Sequence, residues 1–189
     1  MNTTIIIANP SSNSFSNEVL ETVANSLKEK NKSYEIIDLY NDDFNPVMSQ
    51  QEEKDYSKGI SNDSLVKKYQ EILNSTNEIV FIFPIWWNGC PAILKGFFDK
   101  VFIKEFAFIE ENKRPKGLLT NIKSGLVITT SETCTEYIKN DLNSPIENGF
   151  IKGILNIAGM SNIKWINNNL ADDTKENKDK FLMDIKQSI

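Results

Sequence analysis

Two kinds of hydrophobic pattern alternate along this chain. Residues 3–8, 79–83 and 122–130 are short runs dominated by apolar and β-branched side chains, with Ile5-Ile6-Ile7 and Ile79-Val80-Phe81-Ile82-Phe83 unbroken. Runs without polar alternation suit strands covered on both faces, as in a parallel sheet. Residues 33–39 and 162–166 complete a set of five strands. Between them, apolar residues recur at helical spacing. Val19, Leu20, Val23, Ala24 and Leu27 mark one face after Phe15, and residues 65–73 form a second helix. Ala92, Ile93, Leu94, Phe97, Phe98, Val101 and Phe102 make a wide stripe, and residues 149–158 and 174–185 supply two more helices. This β-α alternation predicts one α/β domain over residues 1–189, a five-stranded parallel sheet with helices on both faces. Residues 40–61 and 129–148 are polar and are expected to be long connections.

In open sheets of this kind ligands bind at the carboxyl edge of the strands, where strand order reverses. Three stretches reach such an edge. Asn9-Pro10-Ser11-Ser12-Asn13-Ser14 joins the first strand to its helix, with Ser16 just inside. Unpaired N–H groups and hydroxyls there suit an anion, and Ser and Asn equally suit a plain helix cap. After Pro84, which is expected to stop the third strand, two adjacent tryptophans, Trp86 and Trp87, precede Asn88-Gly89-Cys90-Pro91. They are either cover for the sheet or the wall of a site. Pro91 suits a first helical position. The third stretch, residues 129–137, is rich in Thr, Ser and Glu.

Composition narrows the chemistry. A chain of 189 residues is long enough for a sizeable core, and its net charge of −5 disfavours nucleic acid as a partner. There is no run of 18 apolar residues, hence no membrane span, and Met1-Asn2-Thr3-Thr4-Ile5 lacks the basic flank of a signal peptide; a cytoplasmic location is expected. Cys90 and Cys134 have no metal-ligand spacing and form no disulfide framework. They are either small hydrophobes or a redox pair meeting where the second and third stretches approach. The chain has no histidine, which removes the commonest acid–base side chain from any mechanism.

Residues 83–102, Phe-Pro-Ile-Trp-Trp-Asn-Gly-Cys-Pro-Ala-Ile-Leu-Lys-Gly-Phe-Phe-Asp-Lys-Val-Phe, resemble the signature of the NAD(P)H:quinone oxidoreductase family. The resemblance implies a flavodoxin-like three-layer sandwich with strand order 2-1-3-4-5, and a bound flavin, FMN or FAD. It also implies NAD(P)H as hydride donor, a quinone or similar electrophilic small molecule as acceptor, ping-pong turnover and a homodimer. The first loop resembles the family's His-Pro-x-x-x-Ser-Phe-Ser/Asn, with Asn9 in place of histidine; Asn9, Ser14, Phe15 and Ser16 would lie on the flavin's phosphate side. Pro84, Ile85, Trp86, Trp87 and Asn88 would hold its ring. Thr129, Thr130, Ser131 and Glu132 would approach its pyrimidine end, where Ser131 and Glu132 replace two glycines and Glu132 is expected to point to solvent. Tyr137 keeps the family's tyrosine and is the catalytic candidate, while Asn143 stands near the place of a histidine. Asn45-Pro46-Val47 resembles FAD-binding members, whereas the lack of a long carboxyl-terminal extension suits FMN binders. Phe102, Phe106, Phe108 and Ile109 would form an apolar interface patch, or else cover the sheet within one subunit. Two other readings remain: a regulatory or ancillary subunit with weak or no catalysis, and a one-electron carrier like flavodoxin, whose Thr/Ser-x-Thr-Gly-x-Thr loop residues 9–16 do not match.

Overall fold

The computed structural model describes residues 2–11, 13–172 and 174–189, with only the backbone of Asp172; Ser12 of the first loop lies outside the described residues. The strands are β1 (Asn2–Ile7), β2 (Ser33–Asp38), β3 (Glu78–Pro84), β4 (Phe108–Glu111), β5 (Arg114–Gly117), β6 (Ser124–Ser131) and β7 (Ile163–Asn169). The α-helices are α1 (Phe15–Glu29), α2 (Gln50–Tyr56), α3 (Ser64–Ser75), α4 (Ala92–Val101), α5 (Thr135–Asn140) and α6 (Lys175–Ser188), with a π-helical segment at Ile146–Leu155. The main sheet runs β2-β1-β3-β6-β7, all parallel, which is the expected 2-1-3-4-5 order.

Alternate side chains of each central strand face opposite layers. Ile5, Ile7, Val80, Ile82, Leu126 and Ile128 pack with Val19, Val23 and Leu27 of α1 and with Phe181 and Ile185 of α6. Ile6, Ile79, Phe81, Phe83 and Val127 pack on the other face, with Val66, Tyr69 and Leu73 of α3, Phe97 and Val101 of α4, and Phe150 of the π-helical segment. These are three layers. Full burial of each such side chain contributes about 1.5–3 kcal/mol, so the central strands anchor whatever loops leave them. Phe102 is buried in the second of these clusters, and Phe106 and Phe108 pack against it. The aromatic patch at 102–109 is therefore largely cover for its own sheet.

Several local expectations are corrected. Pro84 does end β3, as its last residue rather than as the residue after it. Residues 40–61 contain α2, whose sequence has no apolar stripe but begins with a capping box formed by Ser49 and Glu52. Residues 129–148 contain α5, and the helix expected at 149–158 is the π-helical segment, which starts earlier. An antiparallel hairpin, β4-β5, follows α4 and turns at Asn112 and Lys113, both left-handed (φ 52° and 60°). Lysine at the second turn position conceals a hairpin that Asn-Gly would have announced.

The 40–61 excursion is fastened to α4. Gly96 lies flush against it: a Cβ there would stand 2.4 Å from both Cβ and the carbonyl oxygen of Pro46. One turn on, the buried Lys100 ammonium lies 3.0 Å from Glu52 Oε1 and 3.1 Å from Asp63 Oδ2, and it donates to the Asn45 carbonyl at 3.0 Å. It also sits 5.4 Å from the Phe44 ring centre. Tyr69 donates to Asp42 Oδ2 at 2.8 Å, tying down the excursion's start. Burial pushes the Glu52 and Asp63 carboxyls up, but hydrogen bonds from Ser49 and Lys100, and from Lys100 and the Leu65 and Val66 N–H groups, outweigh it and hold both below their ordinary values. Burial pulls Lys100 down, and the bonds to Glu52 and Asp63 outweigh it in turn.

Gly96→Ala should lower the unfolding free energy by about 1–3 kcal/mol, the usual effect of overpacking, read from the denaturant midpoint. The cluster also sets an acid dependence. Carboxyls whose folded values are depressed stabilise the fold above their unfolded values near pH 4 and cease to do so as pH falls through the folded values. Wild-type stability should therefore decline more steeply than that of Lys100→Met between about pH 4 and pH 2. Parallel acid limbs in the two unfolding profiles would contradict this assignment.

Candidate functional site

Parallel pairing places the carboxyl ends of β1, β3 and β6 side by side. The ladder continues into the loops: the Ala8 N–H donates to the Ile82 carbonyl at 2.9 Å and the Ile85 N–H to the Thr130 carbonyl at 2.8 Å. The first loop is braced from within. Asn9 Oδ1 accepts the Ser11 N–H at 3.0 Å, and its amide donates to Ser16 Oγ at 2.9 Å. Asn9 and the buried Ser16 thus hold the loop's shape, and the Phe15 ring turns away to meet Phe181 of α6, centres 6.2 Å apart. Ser14 occupies the cap position of α1, yet its hydroxyl makes no cap bond. It accepts instead from the Asn17 amide at 3.3 Å.

That omission has a pattern. Ser49, Asp63 and Thr174 each accept a backbone N–H of α2, α3 or α6. The residues at the starts of α1, α4 and α5, which follow the three loops, do not. A helix start left open by its own side chains retains N–H donors for a ligand.

The second loop is a tight turn. Trp86 and Gly89 exchange two backbone hydrogen bonds of 3.0 Å, and the residues between them, Trp87 and Asn88, are left-handed at φ 49° and 59°. This is type I′ geometry, normal for Asn and Gly but strained for tryptophan. The strain coincides with exposure: Trp86 is 45% exposed and Trp87 101%. Neither indole is simply covering the sheet. Pro91 is the cap of α4 and Ala92 its first residue, one position later than expected. Burial pushes the Cys90 thiol up to about 11, a poor nucleophile, while Cys134 is exposed; both are free.

In the third loop Thr129, Thr130 and Ser131 are buried, whereas Glu132 and Cys134 are exposed and Tyr137 is half-exposed on α5. Ser131 donates from Oγ to the Thr133 carbonyl at 2.6 Å. Neither Ser131 nor Glu132 is left-handed, so side chains occur here without the backbone strain that would demand glycine. Asn143 is left-handed, and its carbonyl accepts the Asn148 amide at 2.7 Å. Trp165 and Asn167 of β7, which sequence reading passed over, also reach this loop: Trp165 bonds to Thr129 at 2.8 Å and Asn167 to Thr129 at 2.7 Å. Only the polar run Asn167-Asn168-Asn169 at the strand's end hinted at them.

A family model described as flavodoxin-like fold matches residues 1–189. An uncharacterized NAD(P)H oxidoreductase of Haemophilus influenzae is 31% identical over 166 residues, covering 87% of this chain and 82% of its own length. The chain belongs to this flavodoxin-like family of oxidoreductases. The NAD(P)H dehydrogenase (quinone) 1 of Rattus norvegicus is 30% identical over 78% of the chain, and the alignment spans 62% of that relative. The NAD(P)H:quinone oxidoreductase of Methanothermobacter marburgensis is 26% identical and superimposes with a TM-score of 0.84 over 100% of this chain and 96% of that one. Among the described residues of this flavodoxin-like protein, no helix is long and apolar enough to cross a membrane.

The edge offers groups of two kinds to a ligand. An uncapped helix start suits a phosphate, exposed indoles suit a planar ring, and the loops between them are fixed to buried strands. The Trp87 strain predicts a separable effect on stability. Trp87→Asn places a residue at ease in the left-handed region and should stabilise the ligand-free protein by about 1 kcal/mol, measured by denaturant unfolding. Destabilisation would mean that the indole packs onto the fold.

Proposed function

We propose that this protein is a flavin-dependent NAD(P)H oxidoreductase that delivers two electrons to a quinone or similar electrophilic acceptor. The observation that carries the reading is the uncapped Ser14 start of α1 set on the same sheet edge as the exposed, strained Trp86-Trp87 turn. When bound, the flavin, FMN or FAD, would supply the hydride and electron-transfer chemistry between nicotinamide and acceptor. The chain supplies position and electrostatics. Ser14 and the first N–H groups of α1 hold the phosphate, while Asn9, Phe15 and Ser16 keep that loop in shape. Pro84, Ile85, Trp86, Trp87 and Asn88 hold the ring, with the indoles excluding water from one side. The backbone of Thr129, Thr130, Ser131 and Glu132 would hold the pyrimidine end, and the exposed Glu132 side chain would stay in solvent.

Tyr137 stands beside that loop and lines the place where nicotinamide and acceptor bind. Hydride transfer needs donor and acceptor atoms about 3–3.5 Å apart, so the two ligands must take turns. That gives ping-pong turnover. Exposed tryptophan at a sheet edge is apolar surface that a partner normally covers, and a second copy of this chain is the proposed cover, making the site homodimeric. A cytoplasmic setting is part of the proposal, and there Cys90 and Cys134 would stay reduced.

The purified protein should be yellow and should oxidise NADH or NADPH when a quinone is supplied. Initial-rate plots at several quinone concentrations should be parallel, and intersecting lines would sink the alternating-site mechanism. With no histidine in the chain, the flavin-reduction rate should show no side-chain ionisation near pH 6.5. Trp87→Asn should weaken flavin binding while the free protein stays folded; undiminished affinity and turnover would remove the indole from the site.

A further inference from the structure

We infer that Asn167, on the edge strand β7, is the positioning residue that sets the third loop against the flavin; this rests on the flavin reading above. Its side-chain amide is the centre of a proton-ordered chain. Trp165 can only donate, and its Nε1–H points at Thr129 Oγ1, 2.8 Å away. The Thr129 hydroxyl proton is thereby turned toward Asn167 Oδ1, at 2.7 Å. That fixes which end of the amide carries hydrogen. The Asn167 NH2 group donates to Ser131 Oγ at 2.9 Å and to Thr135 Oγ1 at 3.0 Å. Ser131, its oxygen occupied as acceptor, gives its own proton to the Thr133 carbonyl at 2.6 Å.

One side chain therefore grips the end of β6 and the first turn of α5, on either side of the loop between them. Thr129 and Ser131 are 1% and 5% exposed, so loss of Asn167 leaves the buried Thr129 hydroxyl proton without its acceptor and Ser131 Oγ without its donor. The loop has no glycine and no left-handed residue at Ser131 or Glu132 to define its path. The path is defined from outside, by β7. The same bonds turn the Ser131 hydroxyl toward β7 and give the side chain a fixed place in the loop. Asn167 touches neither flavin nor substrate. It acts through the Ser131–Thr133 backbone.

The test uses the full chain freed of flavin and titrated separately with FMN and FAD, following quenching of flavin fluorescence well below the thermal midpoint. Asn167→Ala should bind the flavin accepted by the wild type about tenfold more weakly, the scale of one buried hydrogen-bonding group left unpaired. Asn167→Asp keeps the shape and the bond from Thr129 but loses both donors and adds a negative charge behind the loop. It should fold like the wild type and shift the midpoint potential of the bound flavin to more negative values, since added negative charge disfavours the electron-rich form. Unchanged affinity in the first variant and unchanged potential in the second, with only the thermal midpoint lowered, would make Asn167 a structural brace and overturn the inference. A wild type that binds neither FMN nor FAD would overturn the inference together with the function on which it rests.

Discussion

Parallel pairing between β1 and β3 is the constraint from which the site follows. Two strands running the same way, adjacent in the sheet but not in sequence, must release their following loops at one edge. Here the helix after β1 returns over one face and the helix after β3 over the other, because Val19, Val23 and Leu27 belong to one core cluster and Phe97 and Val101 to the other. The chain diverges at that point, which is where open α/β sheets bind their ligands. That divergence is a topological result, independent of which side chains line the edge. The lining decides the chemistry.

Those lining residues divide the work unevenly. The first loop spends the Asn9 amide on its own geometry and leaves the cap position chemically open. The second loop tolerates a left-handed tryptophan, a conformation that costs energy unless the surroundings impose it. Its two ends are tied to buried strand β3 and to helix α4, so the imposing framework is visible. The third loop is shaped by side chains that arrive from β7. Rigidity at the edge is thus borrowed from the interior along three separate routes.

How much of this was legible in the sequence depends on where each element gets its stability. Ile79 to Phe83 and the stripe from Ala92 to Phe102 announce themselves because they are stabilised by burial, and burial has a period. Helices α2 and α5 have no such stripe; α2 depends on a local capping box and on Lys100 beneath it. The hairpin β4-β5 turns on a left-handed Lys113, which composition does not suggest. The loops and the outward Glu132 were legible, but two side-chain directions were not: Phe15 faces α6, and Trp87 faces solvent. The bonds around Asn167 join residues 32 to 38 positions apart, a separation at which no periodicity speaks.

The seam between α4 and the 40–61 excursion has a consequence for inheritance. With Pro46 packed against it, position 96 admits only glycine, and Lys100 is charged in a buried place only because Glu52 and Asp63 surround it. None of these positions can drift alone without leaving a clash or an uncompensated charge. They constitute one unit of exchange, spread over two segments of the gene. A chimera that swaps the excursion between relatives while keeping its own α4 breaks that unit, and the damage is delivered to the helix that carries the tryptophan turn. Variation in the excursion is therefore admissible in evolution only as a matched set with the opposing face of α4.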